Sequence, residues 1–420
     1  MTSRAIAPKK SIGKPLSSRT PIRSSAPLSL YRASWKLLSA EWSRGGGSIL
    51  EDLRGDWEAL FSSLLRTEPF AHVDWLAAYG AAFEKESIFA ALAIRKNGAL
   101  RAVLPFIEKS SCFRGIPAKT LRSLSGKHSC RFDVVASDHD RCETAFFAWQ
   151  TLRTDPNWDV IEAVDVPEGA NFEELVECAK SDGYLIAKWP TLMSPYLTIP
   201  TDGTDPFLNC PPKYKSARNR LKRAQQRLQA KGNVAFEVTT TDGKEAMQRF
   251  VALESSGWKG TQGSAIGSTI KTTEFYNRIA ESFSRAGFLR IYTLWLNDTS
   301  VAMELGLVHG GTYFSPKAAY QEAFSACSPG HLLTRHIIAD LAHNGISRYD
   351  FLGPRARHKT LWAGEILPHA HYLIFRPTPA GRLRHVLVHK IAPLLRRAKY
   401  ALRGDPQALS GQNSPSPSTY

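Results

Sequence analysis

The sequence predicts an α/β protein whose two halves loosely repeat one order of elements. Three observations lead there. From residue 56 to residue 376 the apolar positions switch between helix-like and strand-like periods. Each half contains two helical stretches followed by a hairpin, turned at Asn97-Gly98 in the first and at Asn297-Asp298 in the second. Apolar content is 43% and charged content 22%, enough to bury a sizeable core without covalent staples.

In the first half, helices are expected at 56–65 and 72–83, then a hairpin of strands 87–95 and 99–108. Asn-Gly supplies the positive φ angles that a tight turn needs. A helix at 138–153 and a strand–helix–strand run at 160–164, 172–181 and 184–189 complete it. The second half opens with a basic helix at 213–231, carrying Lys213, Lys215, Arg218, Arg220, Lys222, Arg223, Arg227 and Lys231 without an acid. Gly232 stops that helix in the usual C-terminal way. A strand at 234–239, helices at 242–256 and 272–286, and strands at 288–296, 300–309 and 312–318 follow. A helix at 329–343 closed by Asn344-Gly345, and strands at 348–351 and 371–375, finish the half. The repeat lies in element order alone, with no sequence identity between the halves.

The net charge is +16 and the isoelectric point about 9.6, which calls for an anionic partner. Residues 1–50 carry Arg4, Lys9, Lys10, Lys14, Arg19, Arg23, Arg32, Lys36 and Arg44 against Glu41 alone. Such a segment cannot offset its ordering entropy and is expected to be a disordered basic tail, although an Arg/Ser-rich, acid-poor start also suits a transit peptide. Residues 386–403 mix Val386, Ile391, Leu394, Leu395 and Leu402 with Lys390, Arg396, Arg397, Lys399 and Arg403, interrupted by Pro393. That stretch suits either a membrane surface or a packed terminal helix, and a Pro/Ser tail follows. The domains expected are therefore 1–50, 51–195, 196–378, and a basic amphipathic helix with a disordered tail over 379–420.

Several classes lose support. The six cysteines are scattered without a C-x-x-C pair, which argues against a zinc knuckle or a disulfide framework and for a reducing compartment. His369 with His371, and His385 with His389, have no third ligand at suitable spacing, so no metal is expected. No G-x-S-x-G elbow or Walker loop is present, and no apolar run is long enough to span a membrane.

The segment Ser328-Pro329-Gly330-His331-Leu332-Leu333 carries most chemical meaning. Ser328 suits an N-cap and Pro329 the first helical position, where no amide donor is needed. Gly330 permits close approach to the backbone, and free amides with the helix dipole suit a pyrophosphate. A plain capped helix is the alternative.

With its neighbours this segment resembles the GNAT-fold acyltransferases of the CelD type, associated with bacterial cellulose synthesis. The matching pieces are Lys213-Tyr214-Lys215 to Arg218-Asn219-Arg220, Trp258-Lys259, Val301-Ala302-Met303-Glu304-Leu305-Gly306, Ser328-Pro329-Gly330, Tyr349-Asp350-Phe351, and Lys359 with Trp362. They span residues 196–376, with a vaguer match in the first half. That family looks related to the Fem-type peptidyl transferases, which carry two GNAT-like halves. Three departures touch the acceptor pocket: Gly257 stands where the family has arginine, His358 where it has tyrosine, and Leu352 to Arg357 replace a Gly/acid-rich loop.

The resemblance implies tandem GNAT-like domains, each a mixed, largely antiparallel sheet flanked by helices. It also implies acyl transfer from acetyl-CoA or another acyl-CoA to an amine or hydroxyl. Ser328, Gly330, His331 and Leu332 are the candidate donor-binding residues. Glu304 is the first candidate base, sharing a strand face with Ala302, Gly306 and Val308. A structural ion pair with Lys317 is its alternative. Asp350, at a strand end, is either the second candidate base or a local cap. Lys317, Lys359 and Trp258 are the candidate substrate-binding residues, with Lys359 alternatively a solvated lysine and Trp362 core packing.

Three functions fit. The first is an acyl-CoA-dependent transferase of cell-surface polysaccharide or lipid metabolism, with a small-molecule donor and an unspecified acceptor. The second is a Fem-type transferase using aminoacyl-tRNA, the one case in which RNA is a partner. The third is a non-enzymatic scaffold that binds an anionic membrane or acidic polymer. The expected location is cytoplasmic, with basic termini suited to the periphery of the inner membrane.

Overall fold

In the computed structural model, which describes residues 37–64, 66–113, 116–200 and 212–391, all thirteen strands join one sheet. The N-terminal half supplies β1 (Leu38–Gly45), α1 (Ile49–Asp52), α2 (Arg54–Ser62), α3 (Val73–Phe83), β2 (Ile88–Lys96), β3 (Ala99–Phe113), β4 (Ile116–Ser123), β5 (Val135–Ala136), α4 (Arg141–Thr154), β6 (Val160–Pro167), α5 (Phe172–Ser181) and β7 (Leu185–Thr198). The C-terminal half supplies α6 (Pro212–Gln229), β8 (Val234–Thr239), α7 (Gly243–Ser255), α8 (Trp258–Thr261), α9 (Ile270–Arg285), β9 (Leu289–Leu296), β10 (Thr299–His309), β11 (Thr312–Tyr320), α10 (Pro329–His343), β12 (Arg348–Asp350), α11 (Arg357–Thr360), β13 (Glu365–Phe375) and α12 (Pro379–Val386).

The strand order is β1-β2-β3-β4-β6-β13-β7-β12-β11-β10-β9-β8, with β5 beside β3. Pairing is antiparallel except at β4–β6 and β11–β12, one parallel pair in each half. The fold is thus the expected mixed, largely antiparallel α/β arrangement with helices on both faces. Both predicted hairpins form, and Asn97, Gly98 and Asn297 adopt φ angles of 52°, 79° and 51°.

Two expectations about boundaries need correction. Within the segment expected to be a tail to residue 50, Leu38 to Gly45 pairs with β2 as an edge strand, and Ile49 and Leu50 are buried. Composition hid this strand because an edge strand keeps half its side chains in water. Residues 1–36 lie outside the described residues. Nor do the halves meet at residue 195. β7 continues to Thr198, and β13, expected in the second domain, lies between β6 and β7 of the first. Its Ala370, Tyr372 and Ile374 belong to the N-terminal core. At the C-terminus, α12 forms within the stretch expected to hold a basic amphipathic helix, and it packs beside β7 and β13. Arg384 is buried and donates to the Pro117 carbonyl, and His385 faces the Ile186 carbonyl. Most of the basic 386–403 stretch and the Pro/Ser tail fall outside the described residues.

The largest core is shared between halves. Trp75 of α3 packs edge-on against Phe275 of α9, with ring centroids 5.2 Å apart, and α1 to α3 and α7 to α9 line one face of the sheet. On the other face, α6 buries Ala217, Leu221, Ala224 and Leu228 beside α10. This seam leaves the arginines of α6 facing outward. No helix of the described residues is long and apolar enough to cross a membrane.

Candidate active site

The site forms where β11 and β12 part. They pair only over Thr312 to Phe314 on β11 and Arg348 to Asp350 on β12, while β11 runs on to Tyr320. Its far edge is therefore not taken up by β12. A cavity of about 630 Å³ wraps around this fork, lined by residues of both sheet faces, among them Glu304, Lys317, Gly330, His331, Tyr349 and Lys359.

Glu304 lies where its strand alternation predicted, with Met303, Leu305 and Leu307 turned into the opposite core. It is 3% exposed. One carboxylate oxygen accepts hydrogen bonds from Tyr313 Oη at 3.0 Å and from Tyr349 Oη, and the Ser315 hydroxyl also donates to the carboxylate. Burial raises its pKa above the ordinary value, and the three hydroxyls oppose that rise. A carboxylate held this way is ready to receive a proton. Gly306 makes room for the arrangement, since a Cβ there would lie 2.0 Å from the Tyr313 ring.

The ion pair between Glu304 and Lys317 does not form. Between Leu305 and Leu307 the β10–β11 register shifts, so that Ser315 and Pro316 face a single residue, Gly306. Such a bulge turns the following side chains to the other face. Lys317 therefore sits across from Leu305, with its Nζ 5.5 Å from the Tyr276 ring centroid. A one-residue bulge leaves no mark on composition, which is why simple alternation put Lys317 beside Glu304.

The start of α10 meets the expectation in part. Pro329 opens the helix and Gly330 and His331 line the cavity. Ser328 does not cap through its side chain; it takes a left-handed conformation with φ 48°. Leu332, unlike Gly330 and His331, does not line the cavity: its side chain is in the core and its amide donates to the Ser328 carbonyl at 3.1 Å. Trp362 packs in the core at the cavity wall, and its Nε1 donates to His331 Nδ1 at 3.1 Å. Burial also lowers the His331 pKa. A neutral ring accepting at Nδ1 carries its proton on Nε2.

Asp350 is not placed as a base. It is fully buried and accepts from Arg131 Nη2 at 2.8 Å, Arg348 Nη2 at 3.2 Å and the Leu352 amide at 3.0 Å. Its surroundings favour the carboxylate: its pKa is lowered although burial pulls the other way, and Arg131 is the main counterweight. Lys359 is half-buried rather than solvated. It lines the cavity, donates to the Leu352 carbonyl at 2.6 Å, and has a pKa lowered by burial. Trp258 stands at the cavity rim, 48% exposed, on the Lys317 side.

A second hollow, about 820 Å³, adjoins the first. It is lined by Arg220, Arg223 and Arg227 of α6, Arg357 and His358 near α11, and Ser328 and His331 at the head of α10. No acid lines it. Arg227 donates to the Ala326 carbonyl at 2.8 Å. Arg220, Arg223 and Arg357 pair with no acid among the described residues. The sequence exposed the basic helix but not its target, and Arg357, His358, Ser315 and Tyr313 were missed as site residues. Phosphates suit this hollow, where arginine forks and the α10 amides converge. The grouping of Glu58, His72 and Asp74 is already filled by Arg54, which reaches the two carboxylates at 2.9 and 2.5 Å.

A forked parallel pair with a helix start aimed at the fork is the arrangement of a GNAT-type fold. Residues 215–360 match the family model described as an acetyltransferase (GNAT) domain. No curated protein matches the chain. Among solved structures, FemX is similar with a TM-score of 0.53 and 12% identity, over 82% of this chain and 100% of that one. The C-terminal domain of a putative lysylphosphatidylglycerol synthetase from Agrobacterium fabrum gives 0.48 and 12%, over 79% and 96%. A tandem GNAT protein from the clavulanic acid biosynthesis pathway gives 0.42 and 12%, over 81% and 100%. At such identity the likeness concerns the fold.

Proposed function

We propose that the chain transfers an acyl group from a CoA thioester to an amine or hydroxyl acceptor, in the cell-surface polysaccharide metabolism that the CelD-type resemblance implies. One observation carries this reading: the first turn of α10 stands between the arginine hollow and the cavity that contains Glu304. A donor with phosphates at one end and a thioester at the other matches that succession. The phosphates meet Arg220, Arg223 and Arg357 and the Gly330 and His331 amides. The extended arm runs along the open edge of β11. Glu304 takes the proton that the acceptor loses as its bond to the acyl carbon forms and the carbon–sulfur bond breaks.

A second reading has the donor on aminoacyl-tRNA. The four arginines of the hollow, with no acid among the described residues lining it, favour it, because nucleic-acid phosphates are neutralised in just this way. Thermal unfolding with ligand separates the two. CoA or acetyl-CoA at about 100 times its dissociation constant stabilises the protein by about 2.7 kcal/mol, and Gly330→Trp removes the effect. An unchanged melting temperature at millimolar CoA, with RNA binding that weakens steeply in salt, moves the assignment to tRNA. Failure of both ligands with binding to anionic vesicles points to a scaffold instead.

A further inference from the structure

We propose that Lys317 holds an anionic group of the acceptor, a carboxylate or phosphate carried by the molecule whose amine or hydroxyl is acylated. This rests on the transferase reading and adds the acceptor's chemical class. The bulge in β11 separates two sides of one cavity. On the α10 side are the arginine hollow, the helix amides and Glu304, all suited to the donor. On the other side are Lys317, Lys259 and Trp258, beside α7 and α8. An acceptor that enters opposite the donor passes these residues.

Their charges are unequal. Lys259 is committed: its Nζ reaches Glu254 Oε1 and the Ala318 carbonyl, each at 2.8 Å. The other oxygen of Glu254 accepts the Ile266 amide at 2.8 Å. Lys317 has no acid within 4.0 Å among the described residues; its Nζ stands 5.5 Å from the Tyr276 ring centroid, and Glu254, the acid that acts on it most, already accepts from Lys259. Burial lowers its pKa, as befits an ammonium that lacks its counter-ion. An unpaired, half-buried cation on a cavity wall is costly unless a ligand supplies the negative charge. Trp258, exposed at the rim, offers that ligand a flat apolar surface.

Three small amines test this: ethanolamine, β-alanine and O-phosphoethanolamine, which are uncharged, carboxylate-bearing and phosphate-bearing beyond the amine. Each is titrated calorimetrically against the full chain and assayed as acceptor with acetyl-CoA. The wild type should prefer one anionic probe over ethanolamine by at least tenfold in kcat/KM. Lys317→Met should abolish that preference through KM, leaving kcat and ethanolamine within twofold, and Lys317→Arg should retain most of it. Preference for the carboxylate or the phosphate probe identifies the group. Equal handling of charged and neutral probes, or equal losses for all three in Lys317→Met, overturns the proposal while leaving the transferase reading intact. Lys317-dependent binding of an anionic probe without acyl transfer from any donor overturns the transferase reading instead. Absence of binding by either anionic probe, with or without CoA, overturns the Lys317 assignment; should Lys317→Met not fold, the wild-type preference and Lys317→Arg decide.

Discussion

Asp350, the last residue of β12, accepts a hydrogen bond from Arg131 of the N-terminal half at 2.8 Å, with both side chains shut away from solvent. Arg131 also reaches Glu68 at 2.7 Å. One buried guanidinium therefore ties the fork of the C-terminal sheet to the other half of the molecule. From Asp350 the connection continues through the Leu352 amide, and the Leu352 carbonyl accepts Lys359.

Asp350→Asn should accordingly unfold more easily, because it leaves Arg131 short of a buried counter-ion. Breaking such a pair commonly costs about 3–5 kcal/mol, and urea unfolding will read it. The pKa of Asp350 is lowered in the folded state. Its stabilising contribution is then complete above the unfolded aspartate pKa of about 3.9 and lost as pH falls through the lower folded value. The difference between wild type and variant should shrink over that acid range. Unchanged stability with a lost kcat would return Asp350 to the role of base.

For Glu304 the sign is opposite. Its folded pKa is raised, so the basic form accumulates only as pH climbs past the ordinary glutamate value of about 4.3. The acid limb of kcat should lie above that value, and Glu304→Gln should flatten it with a loss on the order of 10²- to 10⁴-fold. Between about 4.3 and the folded pKa the wild type loses stability as pH rises, since the native state holds the extra proton. The variant should not show that slope. A limb that survives the substitution excludes Glu304 as base.

Gly306→Ala probes the support of that carboxylate. The new methyl would enter the Tyr313 ring, and overpacking of this kind costs about 1–3 kcal/mol. The melting temperature should fall and kcat should fall with it, because Tyr313 can no longer reach Glu304. An unaltered melt would mean the strand has room that its geometry denies.

Ending the chain at Gly364 removes β13 from between β6 and β7. The deletion takes Ala370, Tyr372 and Ile374 from the N-terminal core and leaves β6 and β7 each short of one neighbour. Hydrogen exchange should show β6 and β7 unprotected, with the loss centred on the half that the deletion does not cut. Protection retained in β6 and β7 would show that the N-terminal half folds alone.

Residue order by itself located most elements, since period and turn chemistry are local. The helix from Pro329 to His343 and the strand from Val234 to Thr239 were legible to the residue, as were the face of Glu304 and the basic character of α6. Those features depend on spacing along the chain and on the conformations that Gly, Pro and Asn permit. Even the misread edge strand, Leu38 to Gly45, failed for a local reason, because water on one side weakens its apolar pattern.

Tertiary structure alone decided which groups meet. β13 crosses to the other half because its apolar face completes a gap between β6 and β7, a fact that its own pattern does not contain. Lys317 leaves Glu304 because β11 carries one residue more than β10 at Gly306. Asp350 is held ionised by an arginine 219 positions away in the chain. Pairing partners, register and burial are set by long-range packing, and it is these that give Glu304 and Asp350 their different surroundings.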